Sequence, residues 1–142
     1  MKSIRLIALL PLFLFIYLSL LSCTTTITRN KDPEFNTAIS VLQQDLNDLV
    51  VFESFNFRGT ETNTNGKINS ELEISIKNGK NIPFDENTKL KALCKSIAIR
   101  VKQALKDQNS YDEFTVLFVK QETSGVVNKS FSKGHIFKSA EL

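Results

Sequence analysis

The chain has 142 residues, with 18 Lys and Arg against 15 Asp and Glu, two cysteines, one histidine and no tryptophan. That length allows one domain of ordinary size behind a leader and excludes two. The small positive charge sits partly in the first residues. Without residues 1–22, which carry Lys2, Arg5 and no acid, 16 basic and 15 acidic residues remain. A nucleic-acid binder keeps a marked basic excess, so nucleic acid is not an expected partner.

The chain opens MKSIRLIALLPLFLFIYLSLLSC. Two cations precede an apolar run from Leu6 to Leu21 that contains Pro11 and ends in Leu20-Leu21-Ser22-Cys23. A charged start, an apolar stretch and a small residue before the cut make an export signal. The run has 16 residues, whereas a membrane-spanning helix needs about 20. The Leu-Leu-Ser-Cys ending resembles the lipobox of bacterial lipoproteins. That resemblance covers residues 1–23 only. It implies that Cys23 becomes an acylated N-terminus and that the protein is held in the cell envelope by lipid. Thr24, where an Asp would resemble an inner-membrane retention signal, favours the outer membrane over the inner. Beyond Cys23 only Cys94 remains, so no internal disulfide is expected and the domain must fold on its apolar core.

Residues 24–31, TTTITRNK, are polar and lack periodicity. They read as a tether whose eight residues reach at most about 28 Å. Asp32-Pro33-Glu34 has the chemistry of a helix start. Phe35, Ala38, Ile39, Leu42, Leu46, Leu49 and Val50 recur at spacings of three and four, predicting a helix from Pro33 to about Val50. Phe55 and Phe57 then alternate with polar residues, as do Ile68, Leu72, Ile74 and Ile76 farther on. These are half-buried strands, joined by a loop, GTETNTNG, that ends in the turn former Asn65-Gly66.

Pro83 and Asp85 announce a second helix over about 85–106, with an apolar stripe of Leu90, Leu93, Cys94, Ile97, Ala98, Val101, Ala104 and Leu105. Its basic side, Lys89, Lys91, Lys95, Arg100, Lys102 and Lys106, reads as a solvated face in preference to a lipid-binding one. Phe114 to Val119 is apolar on both faces and suits a central strand. A turn at Thr123-Ser124-Gly125 leads to a polar last strand carrying Val127, Phe131, Ile136 and Phe137.

The expected architecture is α+β: two amphipathic helices packed on one face of a four-stranded antiparallel sheet, in chain order αββαββ. Its organisation is a signal at 1–22, a lipidated tether at 23–31 and one domain at 32–142. A spatial order 2-1-3-4 suits the central third strand, with a 1-2-3-4 meander as the alternative. Phe35, Leu42, Phe55, Phe57, Leu72, Ile74, Leu90, Ile97, Val101, Val116 and Phe118 form the expected core. If Phe114, Val116 and Phe118 face the helices, Leu117 and Val119 face the open side. Val126 and Ile136 join them there in a candidate protein-interaction face.

Motifs for chemistry are scarce. His135 is the single histidine, and a zinc site needs three or four ligands, so neither a metal nor another cofactor is expected. Glu71 and Glu73 share a strand face among polar neighbours, where solvation accounts for them. Cys94 on an apolar stripe reads as a small buried thiol. The sequence therefore points away from an enzyme. It points to a lipid-anchored envelope protein that binds another protein or assists an assembly, with a small-ligand binder as the alternative.

Overall fold

The computed structural model describes residues 24–124 and 127–142, and for 122–124 and 127–128 the backbone alone. In chain order the elements are β1 (Thr26–Asn30), α1 (Ile39–Asn47), β2 (Ser54–Thr64), β3 (Lys67–Lys77), α2 (Asn87–Ala104), β4 (Glu113–Ser124) and β5 (Val127–Lys138), with a final 3-10 turn, Ser139–Glu141. The strands form one sheet in the order β1-β2-β3-β4-β5. All neighbours are antiparallel except β3 and β4, which run parallel.

This corrects the expected four-stranded antiparallel sheet in three respects. The sheet has five strands, because Thr26–Asn30, expected as tether, pairs with Thr60–Thr64. It is mixed, because α2 carries the chain back to the end where β3 began, so β4 starts again in the same direction. That return is what a helical crossover does to adjacent strands. The element order is accordingly βαββαββ, and the strand order is linear.

The core follows from pairing register, since directly opposed residues share a face. Three rows cross the sheet: Gly59, Leu72, Phe114 and Phe137; Phe57, Ile74, Val116 and His135; Phe55, Ile76, Phe118 and Lys133. Both helices cover this face, α1 through Leu42 and Leu46, α2 through Leu90, Cys94, Ile97, Ala98, Val101 and Ala104. Of the expected core, Leu42, Leu72, Ile74, Leu90, Ile97, Val101, Val116 and Phe118 are buried, while Phe35, Phe55 and Phe57 pack half-buried at its margin.

Two local departures have clear causes. The first helix begins at Ile39 and not at Pro33, because residues 34–36 are used in the extended state against the end of α2. The Asn36 amide donates to the Ala104 carbonyl at 2.9 Å, and the Lys106 amide donates to the Glu34 carbonyl at 2.9 Å. Helix ends leave carbonyls without internal partners, and this segment supplies one. The expected loop over 59–66 is instead strand up to a two-residue turn. Asn65 (φ 52°) and Gly66 (φ 86°) take the left-handed conformations that a tight hairpin requires.

The parallel pairing runs only from Glu71 opposite Glu113 to Lys77 opposite Val119. The two hairpins are therefore staggered. Lys67–Ser70 extends beyond β4 at one end, and Lys120–Ser124 extends beyond β3 at the other. β1 pairs with Thr60–Thr64, all but Thr60 in the projecting part of β2.

A clasp ties β1 to the body. The Lys31 amide donates to the Gly59 carbonyl at 2.9 Å, and the Tyr111 hydroxyl donates to the Lys31 carbonyl at 2.6 Å. A Cβ on Gly59 would meet the Lys31 carbonyl oxygen at 1.9 Å and the Tyr111 hydroxyl at 2.5 Å. Gly59→Ala is therefore expected to lower unfolding free energy by about 2 kcal/mol, the scale of overpacking. Urea denaturation of the variant beside Gly66→Ala, whose Cβ meets nothing within 4 Å, separates this clash from the cost of a strained turn.

Candidate functional site

On the open face the even residues of β2 and β5 lie beside the odd residues of β3 and β4. Most of this surface is polar: Asn56, Arg58, Thr60 and Thr62 on β2, Asn69, Glu71, Glu73 and Ser75 on β3. β1 adds Thr26 and Thr28, whose hydroxyls lie 3.3 and 3.4 Å from those of Thr64 and Thr62. The apolar exceptions are on β4 and β5. Leu117 and Val119 are half-buried and Ile136 is 63% exposed. Leu117 is opposed by Gly134 and Val119 by Ser132, so β5 sets no large side chain beside them. Ile136 sits opposite Thr115, one step along the same face. Val126 lies outside the described residues, as does Cys23.

The C-terminal tail leaves this surface clear. Leu142 packs against the core, and Lys102 on α2 donates to the Ser139 carbonyl at 2.6 Å. Leu117, Val119 and Ile136 thus stay on one face, bordered by Ser75, Lys77 and Ser132.

A second feature was not visible in the sequence. Phe84, Asp85, Lys120, Lys129, Ser130 and Phe131 line an open cleft of about 610 Å³ where the second hairpin projects beyond β3. Phe84 and Phe131 meet edge to face with centroids 5.4 Å apart, and the Lys133 ammonium donates to the Phe84 carbonyl. The cleft draws on a loop before α2 and on two strands, so no local spacing reveals it. The only hint was Phe131, the one large apolar residue between Val127 and Ile136.

The groups that could carry chemistry are placed otherwise. Burial pushes the Cys94 thiol up to about 11, opposed more weakly by backbone hydrogen bonds at His135 and Cys94 itself. A nucleophilic cysteine needs the opposite shift. His135 faces the helices, opposite Val116, and its Nε2 is buried with no hydrogen-bond partner among the described residues. Glu71 accepts a hydrogen bond from Thr115, and Glu73 accepts one from Ser75 at 3.0 Å, so each carboxylate is held by a hydroxyl within the sheet. Among the described residues no three His, Cys, Asp or Glu side chains gather as a metal site, and no helix is long and apolar enough to cross a membrane. Cations along and just beyond α2 are engaged: Lys89 pairs with Glu86 at 2.7 Å, Lys102 holds Ser139, and Lys106, past the helix end, pairs with Glu34 at 3.2 Å.

The strongest polar cluster supports the fold. Asp112 accepts from the Ser70 amide and hydroxyl, each at 2.8 Å, and these bonds hold its carboxyl below the usual carboxylate range. Lys31 lies 5.1 Å from the Tyr111 ring centre and donates to the Ser110 carbonyl. No family model, curated protein or solved structure matches the chain.

Burial, reinforced by the Asp32 carboxylate, pushes the Tyr111 phenol from 10.0 up to about 12. A raised folded value means that stability is complete below pH 10, the unfolded value, and falls as pH rises toward 12. Tyr111 and Tyr17 are the only tyrosines. In a chain starting at Cys23, phenolate absorbance should therefore titrate at Tyr111 alone, near pH 12 when folded, and Tyr111→Phe should weaken the alkaline loss of stability. At Cys94 a thiol reagent should react at least tenfold faster in denaturant than in buffer, read by the rate of colour release.

Proposed function

We propose that this chain is a small lipid-anchored protein of the bacterial cell envelope, held through Cys23, outer membrane rather than inner, and that it is a non-enzymatic module binding another envelope protein. The observation that carries the binding role is the apolar cluster of Leu117, Val119 and Ile136 on a polar sheet face that neither the helices nor the C-terminal tail cover. Grouped apolar side chains on a polar surface are what a partner covers. The anchor rests on the order of charge, apolar run and Leu-Leu-Ser-Cys in residues 1–23. The high value of the Cys94 thiol and the hydroxyl-bound state of Glu71 and Glu73 argue for binding over catalysis.

The cleft between Phe84 and Phe131 favours a second reading, a small ligand with an apolar body and an anionic group. Its volume of about 610 Å³ falls within the range of ligand sites, and Lys120, Lys129 and Asp85 at its wall leave one more cation than anion.

Cross-linking in the native envelope tests the first reading. Wild type should capture a protein that the double variant Leu117→Lys, Val119→Lys loses by tenfold or more, while circular dichroism and the melting temperature show that the variant is folded. Equal capture by both would remove the open face from the proposal. A ligand bound by wild type and lost in Phe131→Ala would move the function to the cleft.

A further inference from the structure

The end of the sheet at which the chain enters has a composition unlike the rest of the polar ribbon. Thr25 is fixed there by a reciprocal pair of hydrogen bonds. Its amide donates to the Asn65 side-chain carbonyl at 3.0 Å, and the Asn65 amide donates to the Thr25 carbonyl at 3.1 Å. Two peptide units separate Thr25 from Cys23, so the two Cα atoms lie within about 7 Å. Whatever holds Cys23 therefore holds the Asn65–Gly66 turn beside it.

One row in from that turn, Ile27 opposes Asn63, and Asn63 opposes Ile68. These three residues belong to the face that bears the core, but the ribbon here projects past both helices. Ile27 is 50% and Ile68 58% exposed, and a shallow groove of about 130 Å³ lined by Ile27, Arg29, Glu61, Asn63 and Ile68 lies there. Arg29 shares this face and is opposed by Glu61, which also lies 3.9 Å from the Lys31 ammonium; Lys67, opposite Thr64 at the turn, is exposed on the other face of the ribbon. Exposed isoleucines are ordinary when scattered. Two of them astride Asn63 on one face, with Arg29 farther along that face and Lys67 at the turn, a few residues from Cys23, suit a surface that rests in lipid headgroups.

We infer that the tip of the β2–β3 ribbon is a membrane-contact surface: Ile27 and Ile68 sit in the headgroup layer of the bilayer that holds Cys23, with Lys67 and Arg29 toward its anionic phosphates. This rests on the lipid-anchor reading above. The contact does not supply the attachment, which the acyl chains provide. It sets the orientation, because a domain tethered through Thr24 alone would pivot. With the tip seated, the strands stand away from the bilayer. The Phe84–Phe131 cleft is then held about 11 strand residues or ~36 Å from the lipid, and the β4–β5 end about 15 residues or ~50 Å.

Absence of tryptophan from the chain makes the test direct. Full-length protein carrying Ile68→Trp, and separately Ile136→Trp as the control on the open face, is produced in a lipidating bacterial host. Each is reconstituted into vesicles of phosphatidylcholine and phosphatidylglycerol. The mass of the N-terminal peptide reports acylation, and quenching by lipids brominated near the headgroup reports depth. The expected result is an acylated Cys23 with Ile68→Trp quenched at least threefold more than Ile136→Trp, a difference that shrinks in a background of Arg29→Glu and Lys67→Glu. Equal quenching at both positions in acylated protein would overturn the contact surface and leave the anchor standing. A Cys23 that carries no lipid would overturn the anchor and the contact together.

Discussion

Leu72, Ile74 and Ile76 of β3 lie beside Phe114, Val116 and Phe118 of β4, and this buried parallel seam is the contact on which the molecule depends. Everything chemically local is antiparallel: β2 pairs with β3 and β4 with β5. The seam is the one place where the two halves of the sheet meet, and its side chains share one core with those of both helices. Its register is fixed by burial on the β3 side, because a slip of β3 by one residue would turn Leu72, Ile74 and Ile76 to water and Glu73, Ser75 and Lys77 to the core. Ser70 and Asp112 close one end of it with four hydrogen bonds, and Asn78 closes the other by donating to the Val119 carbonyl and accepting from the Gln121 amide.

The same register produces the stagger. Because β4 starts opposite Glu71 and β3 ends opposite Val119, each hairpin overshoots the other in opposite directions. The overshoots are where surface character departs from a plain solvated sheet. One carries Ile27, Ile68 and the chain's point of entry, and the other carries the cleft between Phe84 and Phe131. A fold that aligned its hairpins flush would have neither. The surfaces proposed for function thus lie at the ends of strands and on the open face behind them.

How much of this could be read from the residues depends on what each element is packed against. α2 was legible because its six buried positions repeat on one stripe, and β3 because Leu72, Ile74 and Ile76 alternate with polar residues. Thr26–Asn30 was not. All five residues are exposed, so no period marks them, and only Thr and Ile hint at β structure. Residues 60–64 failed for a related reason: they are half-buried without an apolar period, and their threonines and Asn63 look like a loop. The early start expected for α1 failed for another reason. Asp32-Pro33-Glu34 has good helix-start chemistry, but its neighbours are claimed by carbonyl and amide groups of α2, about 70 residues away, which no local signal shows. The open-face residues Leu117, Val119 and Ile136 were legible once the facing of Phe114, Val116 and Phe118 was known. The cleft was not, because Phe84 and Phe131 come from different elements and meet only when the sheet is assembled.

β1 runs inward from the Asn65–Gly66 turn, with its first residue at the tip and its last beside Gly59. Tension applied to the chain before Thr26, along the strand axis, therefore acts on all five rungs between β1 and β2 together. It meets the Lys31–Gly59 bond and the Tyr111 clasp behind them before any rung can peel separately. A strand entering from the opposite end would open like a zipper, one rung at a time. The direction of β1 makes the shortest strand in the sheet the one arranged to bear a mechanical load.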